Sequence, residues 1–324
     1  MTKPQLGPDD TFLTLDIGGT NVTAGLVSRA GDILEIGDFP TSLGRDQESL
    51  IALIVGHLKK LWLKSPGGHR PKALAIGAPG WLKPKEGVLV VAPNLPGWRE
   101  VPITRVMSQA LDLPARLEND ANLYALGEWL AGAARGSKNM ITVTLGTGVG
   151  GGLILDGRLW SGSFASAAEI GHIPLGPGFT AVCGCGREGC LETVASARGM
   201  ARVARERLAG GEKSLFRGDP ESLTAKTLYD LAHQGDAMAL GVMDTAGRAI
   251  GHVLAGVFNL LSLDTAVIGG GGAGAFELLK GPIMEVLAAR LVTAKIDEIS
   301  VVKGLLGVRA PLVGGAALLE GEGF

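Results

Sequence analysis

The chain has 324 residues, and its 30 lysine and arginine residues nearly balance 32 aspartate and glutamate residues, leaving a formal net charge of −2. This length allows two domains, and the charge balance lacks the basic excess that a nucleic-acid partner requires. The polar start, Met1 to Asp10, has no apolar core of a signal peptide. His252, Asn259 and Asp264 interrupt the longest apolar stretches, so no membrane span is predicted. With only three cysteines, a cytoplasmic protein is expected.

The first predicted unit in chain order is a hairpin. An apolar strand from Thr11 to Asp16 runs into the turn Gly18-Gly19-Thr20-Asn21, and a second strand follows from Val22 to Val27. Helical periodicity predicts a helix over Ser49 to Leu63. The further elements of this half are strands at Ala73 to Ile76 and Val88 to Val91 and, after Leu117, a helix to about Ala134 that Asn119 or Asp120 would cap.

The second half repeats this opening. Met140 to Leu145 is a predicted strand, Gly146 to Gly152 a glycine turn, and Leu153 to Leu155 the start of the return strand. Two strand–turn–strand units with helices between them indicate an internal duplication, in which two α/β domains face each other across a cleft. The later predicted elements are helices over Ala195 to about Leu208, Leu223 to His233, Asp236 to Leu261 and about Ala275 to Leu291, strands over Thr265 to Ile268 and Ile299 to Val302, and a terminal helix from Val313.

Two glycine-rich loops have the glycine spacing of the dinucleotide-binding motif. Gly146-x-Gly148-x-x-Gly151 is followed by a strand, whereas that fingerprint requires a helix. Gly269-x-Gly271-x-x-Gly274 lies between a strand and a helix, but the acidic residues Asp297 and Glu298 precede the next strand instead of ending it. A nicotinamide-dependent oxidoreductase is therefore kept as an alternative. A P-loop is excluded, because the chain has no Gly-Lys-Ser or Gly-Lys-Thr sequence.

Together, the three glycine loops predict a phosphate site. The two hairpins would present backbone N–H groups and the hydroxyls of Thr20 and Thr147 to phosphate oxygens, which larger side chains would keep at a distance. Asp16 lies where it could hold Mg²⁺, directly or through water. The third loop, Gly269 to Gly272, opens a helix whose N-terminus suits an anion or a nucleotide. The predicted nucleotide-binding residues are Asp16, Gly18, Gly19, Thr20, Asn21, Gly146, Thr147, Gly148, Gly270 and Gly271.

All three cysteines lie in one short segment, Cys183-Gly-Cys185-Gly-Arg-Glu-Gly-Cys190, and His172 lies shortly before it. Three thiolates and one imidazole match the ligand set of tetrahedral zinc. Four protein ligands leave no open coordination position, so the predicted zinc is structural. The alternative is a cluster of free or redox-active thiols.

These motifs resemble those of the ROK (repressor/ORF/kinase) family of sugar kinases, within the actin-like ATPase superfamily. The resemblance runs from Thr11 to Leu318, and its most specific part is Glu169-x-Gly171-His172 followed by the cysteine segment and Glu192. It implies an α/β fold of the actin-like ATPase (ribonuclease H-like) type, with two duplicated domains and a central cleft. The terminal helix would return to the first domain, so that the domains are 1–117 plus 310–324 and 118–309.

The resemblance also implies roles for individual residues. Asp120 resembles the catalytic base that takes the proton from the attacking sugar hydroxyl. His172 would bind sugar while also ligating zinc. The implied cofactors are ATP with Mg²⁺ and a structural Zn²⁺, the implied reaction is phosphorylation of the 6-hydroxyl of glucose, and a homodimer is expected. The implied sugar-binding residues are Asn94, Asn119, Asp120, Glu169, His172 and Glu192, and the metal ligands are His172, Cys183, Cys185 and Cys190.

Small departures from the family pattern leave alternatives open. Asn21 stands where many members have lysine, and Ala168 stands where glycine often precedes the glutamate. The segment Asn94-Leu-Pro-Gly-Trp98 resembles that of bacterial glucokinases, but kinases for other hexoses and for N-acetylhexosamines share the same site residues. A catalytically silent sugar-sensing regulator is a further alternative, against which the intact Asp16 and Asp120 stand. About ten residues precede the first strand, too few for a winged helix-turn-helix domain. The phosphoryl donor, ATP or polyphosphate, stays open.

Overall fold

The computed structural model describes Gly7 and residues 10–44, 46–68, 70–92, 94–95, 97–292 and 294–321. Within these residues the strands form two five-stranded sheets and one three-stranded sheet. The strands are β1 Thr11–Ile17, β2 Asn21–Ser28, β3 Ile33–Pro40, β4 Leu74–Ala78, β5 Trp81–Lys83, β6 Val88–Val91, β7 Arg99–Val101, β8 Ala115–Asn119, β9 Met140–Leu145, β10 Val149–Leu155, β11 Arg158–Leu159, β12 Thr265–Gly269 and β13 Ser300–Lys303.

Several helices begin at a polar side chain that accepts a hydrogen bond from a free N–H group of the first turn. Asp46 does so for the first helix, Ser196 for the fifth and Asp236 for the seventh. The α-helices of the described chain are α1 Gln47–Trp62, α2 Ile103–Leu111, α3 Asp120–Leu130, α4 Glu192–Ala195, α5 Ala197–Ala209, α6 Ala225–His233, α7 Ala237–Leu261, α8 Phe276–Arg290 and α9 Ala310–Gly321.

The first large sheet has the strand order β3-β2-β1-β4-β8. Strands β1 and β2 form the predicted antiparallel hairpin, while β4 and β8 run parallel to β1. The parallel register pairs Asp16 with Gly77, and Ala78 with Asn119. The carboxyl ends of β1, β4 and β8 therefore meet at one edge of the sheet, which places Asp16 and the Asn119-Asp120 pair near each other.

The second large sheet repeats this arrangement with the order β11-β10-β9-β12-β13. Strands β9 and β10 form an antiparallel hairpin, and β12 and β13 run parallel to β9. The register pairs Thr144 with Gly269, so the glycine turn after β9 and the glycine loop after β12 lie side by side. The same strand order in both sheets confirms the duplicated α/β architecture that the sequence predicts.

Each large sheet has its own hydrophobic core. One buried cluster joins the first sheet to α1 and α2, and includes Leu15, Ile54 and Met107. The other joins the second sheet to the helices from α4 to α8, and includes Val143 and Ile250. Two separate cores are what two domains require.

Helices α3 and α9 connect the two halves. Helix α9 packs on β1 and β4 of the first sheet and on α3, while α3 packs on β9 and β10 of the second sheet. The two helices cross so closely that a Cβ atom on Gly127 would overlap the Ala310 carbonyl oxygen. A Cβ atom on Gly314 would likewise overlap the Leu123 carbonyl oxygen. Glycine is therefore required at both positions of this crossing.

The glycine run after β9 differs from its prediction as one long turn. The turn is confined to Gly146–Gly148, and Gly150 and Gly152 already belong to β10. A Cβ atom on Gly152 would lie 2.5 Å from the Cβ atom of Ala125 and 2.7 Å from the carbonyl oxygen of Ala121. These glycines keep a strand conformation and let the backbone of α3 lie directly on the strand.

Other differences concern short or partly exposed elements. The third helix ends at Leu130 instead of about Ala134. Strand β3 was not predicted. Its residues alternate between partly buried and exposed, and the charged residues Glu35 and Asp38 interrupt its apolar pattern. Helix α2 was also not predicted, although Ile103, Met107 and Leu111 are buried at helical spacing, because it is short and lies between Pro102 and Asp112.

None of the helices in the described part of the chain is both long enough and apolar enough to span a bilayer.

The crossing of α3 and α9 gives a testable prediction. Gly314→Ala should destabilise the protein by about 3 kcal/mol or more, because its Cβ atom meets backbone that cannot move aside. The matched control is Gly256→Ala on the exposed face of α7, where no atom lies within 4 Å of the added Cβ. That control should stabilise the protein by about 0.5–1 kcal/mol. Calorimetric melting of both variants measures the difference, and a Gly314→Ala protein as stable as the wild type would contradict the crossing.

Candidate functional site

The start of α3 carries two predicted site residues. The Asn119 side-chain oxygen accepts hydrogen bonds from the N–H groups of Ala121 and Asn122 at 2.9 and 3.3 Å, so Asn119 is the N-cap of the helix. Asp120 is the first helical residue, and its Oδ1 accepts a hydrogen bond from the Ala121 N–H at 2.8 Å. Of the two residues that the sequence offers as caps, Asn119 caps the helix by accepting two N–H groups, and its amide nitrogen is not used by these bonds.

Carboxylates face one another at this edge. The Asp16 Oδ1 atom is buried and has no hydrogen-bond partner among the described residues. Burial raises the pKa of Asp16 to about 8, and the negative charge of Asp120 adds to the increase. Burial also raises the pKa of Asp120, and the charge of Glu169 contributes in the same direction. The orphaned carboxylate oxygen of Asp16 fits a magnesium ion, whose preferred ligands are carboxylate oxygens and water.

Hydrogen bonds support the turn of the first glycine hairpin. The Gly18 N–H donates to the Asn21 carbonyl at 2.9 Å, which closes the turn. The Thr41 hydroxyl donates to the Gly18 carbonyl at 2.8 Å, and the Thr41 N–H donates to the Thr20 carbonyl at 2.8 Å. Residues 19–21 at the tip are exposed. Thr41 is a supporting residue that sequence reasoning missed, because no motif marks it.

Asn94, a predicted sugar-binding residue, lies against this hairpin. A Cβ atom on Gly19 would be 2.6 Å from the Cβ atom of Asn94, so only glycine leaves room for the asparagine. The neighbouring positions 93 and 96 of the Asn94–Trp98 segment lie outside the described residues.

The second hairpin has the corresponding turn. The Gly146 N–H donates to the Gly148 carbonyl at 2.9 Å, and Thr147 is exposed at the tip. The loop after β12 packs on the base of this hairpin, because a Cβ atom on Gly270 or Gly272 would collide with Leu145. Gly270 has a φ of 75°, which favours glycine. The predicted nucleotide-binding residues 146–148 and 270–271 are therefore brought together.

Glu192 joins this hairpin to the cysteine segment. Its Oε2 atom accepts a hydrogen bond from the Val149 N–H at 3.0 Å, and a Cβ atom on Gly148 would overlap this oxygen. Its Oε1 atom lies 3.6 Å from the Cys183 sulfur. The sequence predicted a sugar contact for Glu192, and in the structure both carboxylate oxygens face protein groups.

The segment before His172 rests on β10. A Cβ atom on Gly151 would lie 2.5 Å from the Ala168 carbonyl oxygen, and one on Gly171 would overlap the Val149 carbonyl oxygen. Ala168 has a φ of 61°, a conformation that costs a non-glycine residue about 1 kcal/mol or more. This close packing sets the position of Glu169, whose side chain is 58% exposed and therefore available to a ligand.

The predicted metal ligands converge. The donor atoms of His172, Cys183, Cys185 and Cys190 all lie within 4.8 Å of one another. The Cys183 sulfur is 3.6 Å from His172 Nδ1, and the Cys185 and Cys190 sulfurs are 3.7 Å apart. A tetrahedral zinc with Zn–S bonds of about 2.3 Å and a Zn–N bond of about 2.0 Å has edges of about 3.8 Å and 3.5 Å. These two distances fit zinc, and the sulfur–sulfur distance is far too long for a disulfide.

Glycines give the cysteine segment its tight turns. The Cys183 N–H donates to the Arg187 carbonyl at 2.7 Å, and the Gly186 N–H donates back to the Cys183 carbonyl at 2.9 Å. Gly186 and Gly189 have φ values of 84° and 69°, so both lie in the region that favours glycine. This turn brings Cys183 and Cys185 round to face Cys190.

The two ring nitrogens of His172 point to different partners. Its Nδ1 lies beside the Cys183 sulfur, while Nε2 lies 4.0 Å from a carboxylate oxygen of Glu169. The imidazole can therefore hold a metal with one nitrogen and leave the other on the side of Glu169. This geometry permits the double role that the family resemblance implies.

The dinucleotide alternative does not fit the loop after β12. A 3₁₀ turn, Gly271–Ala275, separates the strand from α8, and β13 ends at Lys303 without the acidic residue that would bind a ribose.

Comparisons of the sequence with known proteins give consistent matches. The model of the ROK family matches residues 12–322. A glucokinase from Halalkalibacterium halodurans is 35% identical over 319 residues, which cover 96% of each chain. A glucokinase from Thermotoga maritima is 34% identical over 97% of this chain and 98% of its own. An N-acetylmannosamine kinase from Escherichia coli is 32% identical over 80% of this chain and 82% of its own.

Solved structures show the same fold. A ROK family glucokinase from Streptomyces griseus, in complex with glucose and AMPPNP, is 33% identical and superimposes with a TM-score of 0.78 over 95% of this chain and 98% of its own. A ROK family transcriptional regulator superimposes with a TM-score of 0.84 at 25% identity, over 94% of this chain and 76% of the regulator. These likenesses confirm the actin-like fold class expected from the sequence.

The cysteine cluster predicts a measurable metal content. The purified wild type should contain about one zinc per chain, and Cys190→Ala should lose it, because three ligands bind zinc far more weakly than four. Glu188→Gln changes an exposed residue of the same segment and should keep the metal. Elemental analysis by mass spectrometry measures the zinc content per chain, and a metal-free wild type would contradict a zinc site.

Proposed function

Because the chain belongs to the ROK family, we propose that it is an ATP-dependent hexokinase that phosphorylates the 6-hydroxyl of glucose. The observation that carries this proposal is the position of Asp120 at the start of α3, directly after the edge where β1 and β8 end beside Asp16, with the charge of Glu169 also acting on it. A base at this position would have the proposed phosphate site at Asp16 on one side and the proposed sugar-binding residue Glu169 on the other. The similarity to glucokinases over nearly the whole chain favours glucose.

The proposed sugar site uses the polar groups that are left available. Asn94 and Glu169 are exposed, and the Nε2 atom of His172 faces Glu169. The side-chain nitrogen of Asn119 is not consumed by helix capping. The remaining proposed contact, Glu192, acts mainly by holding the hairpin to the cysteine segment, since its oxygens already face protein groups.

Asp120 is the proposed general base. Its carboxylate would orient the sugar hydroxyl and accept its proton, a contribution of about 10²- to 10⁴-fold. The Ala121 N–H fixes one carboxylate oxygen, which leaves the other for the hydroxyl. Because burial and Glu169 raise the pKa of Asp120, turnover should decline on the acid side as this carboxylate becomes protonated.

The proposed ATP site uses the two hairpins and Asp16. Their glycine turns leave backbone N–H groups open to phosphate oxygens, with Thr20 and Thr147 exposed at the tips. Asp16 would hold Mg²⁺ with its unpartnered oxygen. When bound, Mg²⁺ neutralises charge on the phosphate oxygens. The loop at Gly270–Gly271 would contact the nucleotide from the side of the second hairpin.

The proposed zinc has a mechanical role. The segment from Glu169 to Glu192 contains many glycines, and such a segment loses much conformational entropy when it is fixed in one conformation. A closed set of four ligands lowers this cost before the sugar arrives, so Glu169 and His172 are held ready for binding.

We further propose a domain division into 1–117 plus 310–324 and 118–309. The separate cores of the two sheets and the return of α9 to β1 and β4 support it. Closure of these domains over the sugar would exclude water and so prevent hydrolysis of ATP.

Two other functions have specific support. A kinase for N-acetylmannosamine or another hexose is supported by the relative from Escherichia coli. A sugar-sensing regulator is supported by the likeness to a ROK family transcriptional regulator. Values of kcat/KM for a panel of hexoses and N-acetylhexosamines with ATP separate these possibilities, and sugar binding without turnover on any of them would favour the regulator.

Replacement of the proposed base tests the mechanism. Asp120→Asn should lower kcat by about 10²- to 10⁴-fold, since the amide cannot accept the proton. Its glucose Kd should change only a few-fold, because the side-chain shape is kept. The matched control is Asp112→Asn at the exposed end of α2, where asparagine tolerates the left-handed backbone. Near-normal turnover of Asp120→Asn would remove Asp120 as the base.

Removal of a zinc ligand tests the mechanical role. Cys185→Ala, or chelation of the wild type, should raise the glucose KM and speed hydrogen exchange in residues 169–172, because the segment is no longer fixed. Val182→Ala alters an exposed, non-ligating side chain nearby and should behave as the wild type. Unchanged glucose affinity after complete zinc removal would contradict this role.

A further inference from the structure

A buried carboxylate lies on α3 about two helical turns after Asp120. Glu128 is fully buried, and both of its oxygens accept backbone hydrogen bonds. Oε1 accepts from the Leu306 N–H at 2.8 Å, and Oε2 accepts from the Ala133 N–H at 2.8 Å and the Leu305 N–H at 3.0 Å. A single side chain therefore ties α3 to the connection between β13 and α9.

A buried hydroxyl lies one turn earlier on the same helix. The Tyr124 side chain is 5% exposed, and its hydroxyl has no hydrogen-bond partner among the described residues. A Cβ atom on Gly269 or Gly304 would overlap this hydroxyl, so it lies between the ends of β12 and β13. Burial, the charge of Glu128 and the closeness of its carboxylate to the hydroxyl raise the pKa of Tyr124 to about 12, and the nearby Gly270 N–H acts on it in the opposite direction.

These contacts connect the proposed base to the proposed nucleotide loop through one rigid element. Asp120 begins α3, Tyr124 lies beneath Gly269 and Gly270, and Glu128 holds the chain that leads to α9. The loop at Gly270 also packs on Leu145 at the base of the second hairpin. The position of the nucleotide loop relative to Asp120 thus depends on the side chains of α3.

We propose that Tyr124 and Glu128 are positioning residues, which hold the Gly269–Gly270 loop and the Gly304–Leu306 connection in register with Asp120. This inference rests on the proposed kinase function. The unpaired Tyr124 hydroxyl faces the loop and acquires its missing hydrogen bond from the Gly270 N–H when a nucleotide fixes that loop. Glu128 keeps α3 and the β13–α9 connection together during turnover, since a glutamine has only one acceptor oxygen for the three N–H groups.

Tyr124→Phe is the first test, because a stabilising role and a positioning role predict opposite results. Loss of an unpaired buried hydroxyl should leave the melting temperature unchanged or higher. The affinity for AMPPNP, measured by calorimetry, should nevertheless fall about two- to tenfold, the value of one hydrogen bond. Glucose affinity should not change. Unchanged AMPPNP affinity would overturn the role of Tyr124.

Glu128→Gln is the second test. It should lower kcat by about 10- to 100-fold, as expected for a displaced catalytic pair, with the glucose KM and the zinc content unchanged. The control is Glu206→Gln, which alters only an exposed ion pair with Arg202 on α5. In an Asp120→Asn background the Glu128→Gln penalty should shrink to about twofold, because no base remains to be aligned. An equal penalty in both backgrounds would overturn positioning.

Hydrogen exchange separates this inference from the kinase proposal. Glu128→Gln should speed exchange in residues 269–272 and 304–306 and leave β4 unchanged, whichever substrate the protein uses. If the wild type phosphorylates no sugar, the proposed function fails. The exchange pattern and the AMPPNP affinity then still test whether Tyr124 and Glu128 hold the Gly269–Gly270 loop. Equal exchange in the wild type and the variant would overturn this inference. If Glu128→Gln does not fold, the two Tyr124→Phe measurements decide.

Discussion

The close crossing of α3 and α9 is the constraint on which the rest of the structure depends. Gly127 and Gly314 allow the two helix backbones to touch, and Gly150 and Gly152 allow α3 to lie on β10 with the same closeness. Side chains at these positions would push the two sheets apart and move the start of α3 away from both hairpins. The glycines of this chain therefore serve two purposes: some form the hairpin turns of the proposed phosphate site, and others set the distance between the halves.

Parallel strand register explains why residues far apart in sequence meet at this crossing. Strands β1, β4 and β8 end at one edge, so Asp16 and Asp120 come together although they lie on different elements. The second sheet repeats the arrangement and brings the turn after β9 beside the loop after β12. Duplication thus supplies two similar glycine edges, and α3 carries the proposed base between them.

The sequence predicted what short-range chemistry determines. The two hairpins and the four candidate metal ligands follow from local spacing, the family follows from a resemblance of motifs, and the structure and comparisons confirm the fold and the family. It did not predict contacts in which a side chain binds backbone from a distant segment. Thr41 behind the first hairpin, and Glu128 with its N–H groups from residues 133, 305 and 306, are of this kind. Glu192 shows the same limit, since its motif position does not reveal that the Val149 N–H uses its carboxylate.

The carboxylates near the start of α3 explain why ligands of the proposed site would change the pKa of its aspartates. Burial raises the pKa of both Asp16 and Asp120, and to a smaller extent the charge of Asp120 acts on Asp16 and the charge of Glu169 acts on Asp120. A divalent cation beside Asp16, as proposed, would offset this negative charge and lower the pKa of both aspartates, which favours the ionised form of Asp120 that can accept a proton. In the proposed mechanism, binding of ATP with Mg²⁺ would therefore favour the ionised base, so that charge couples the two substrates in addition to the proposed domain closure.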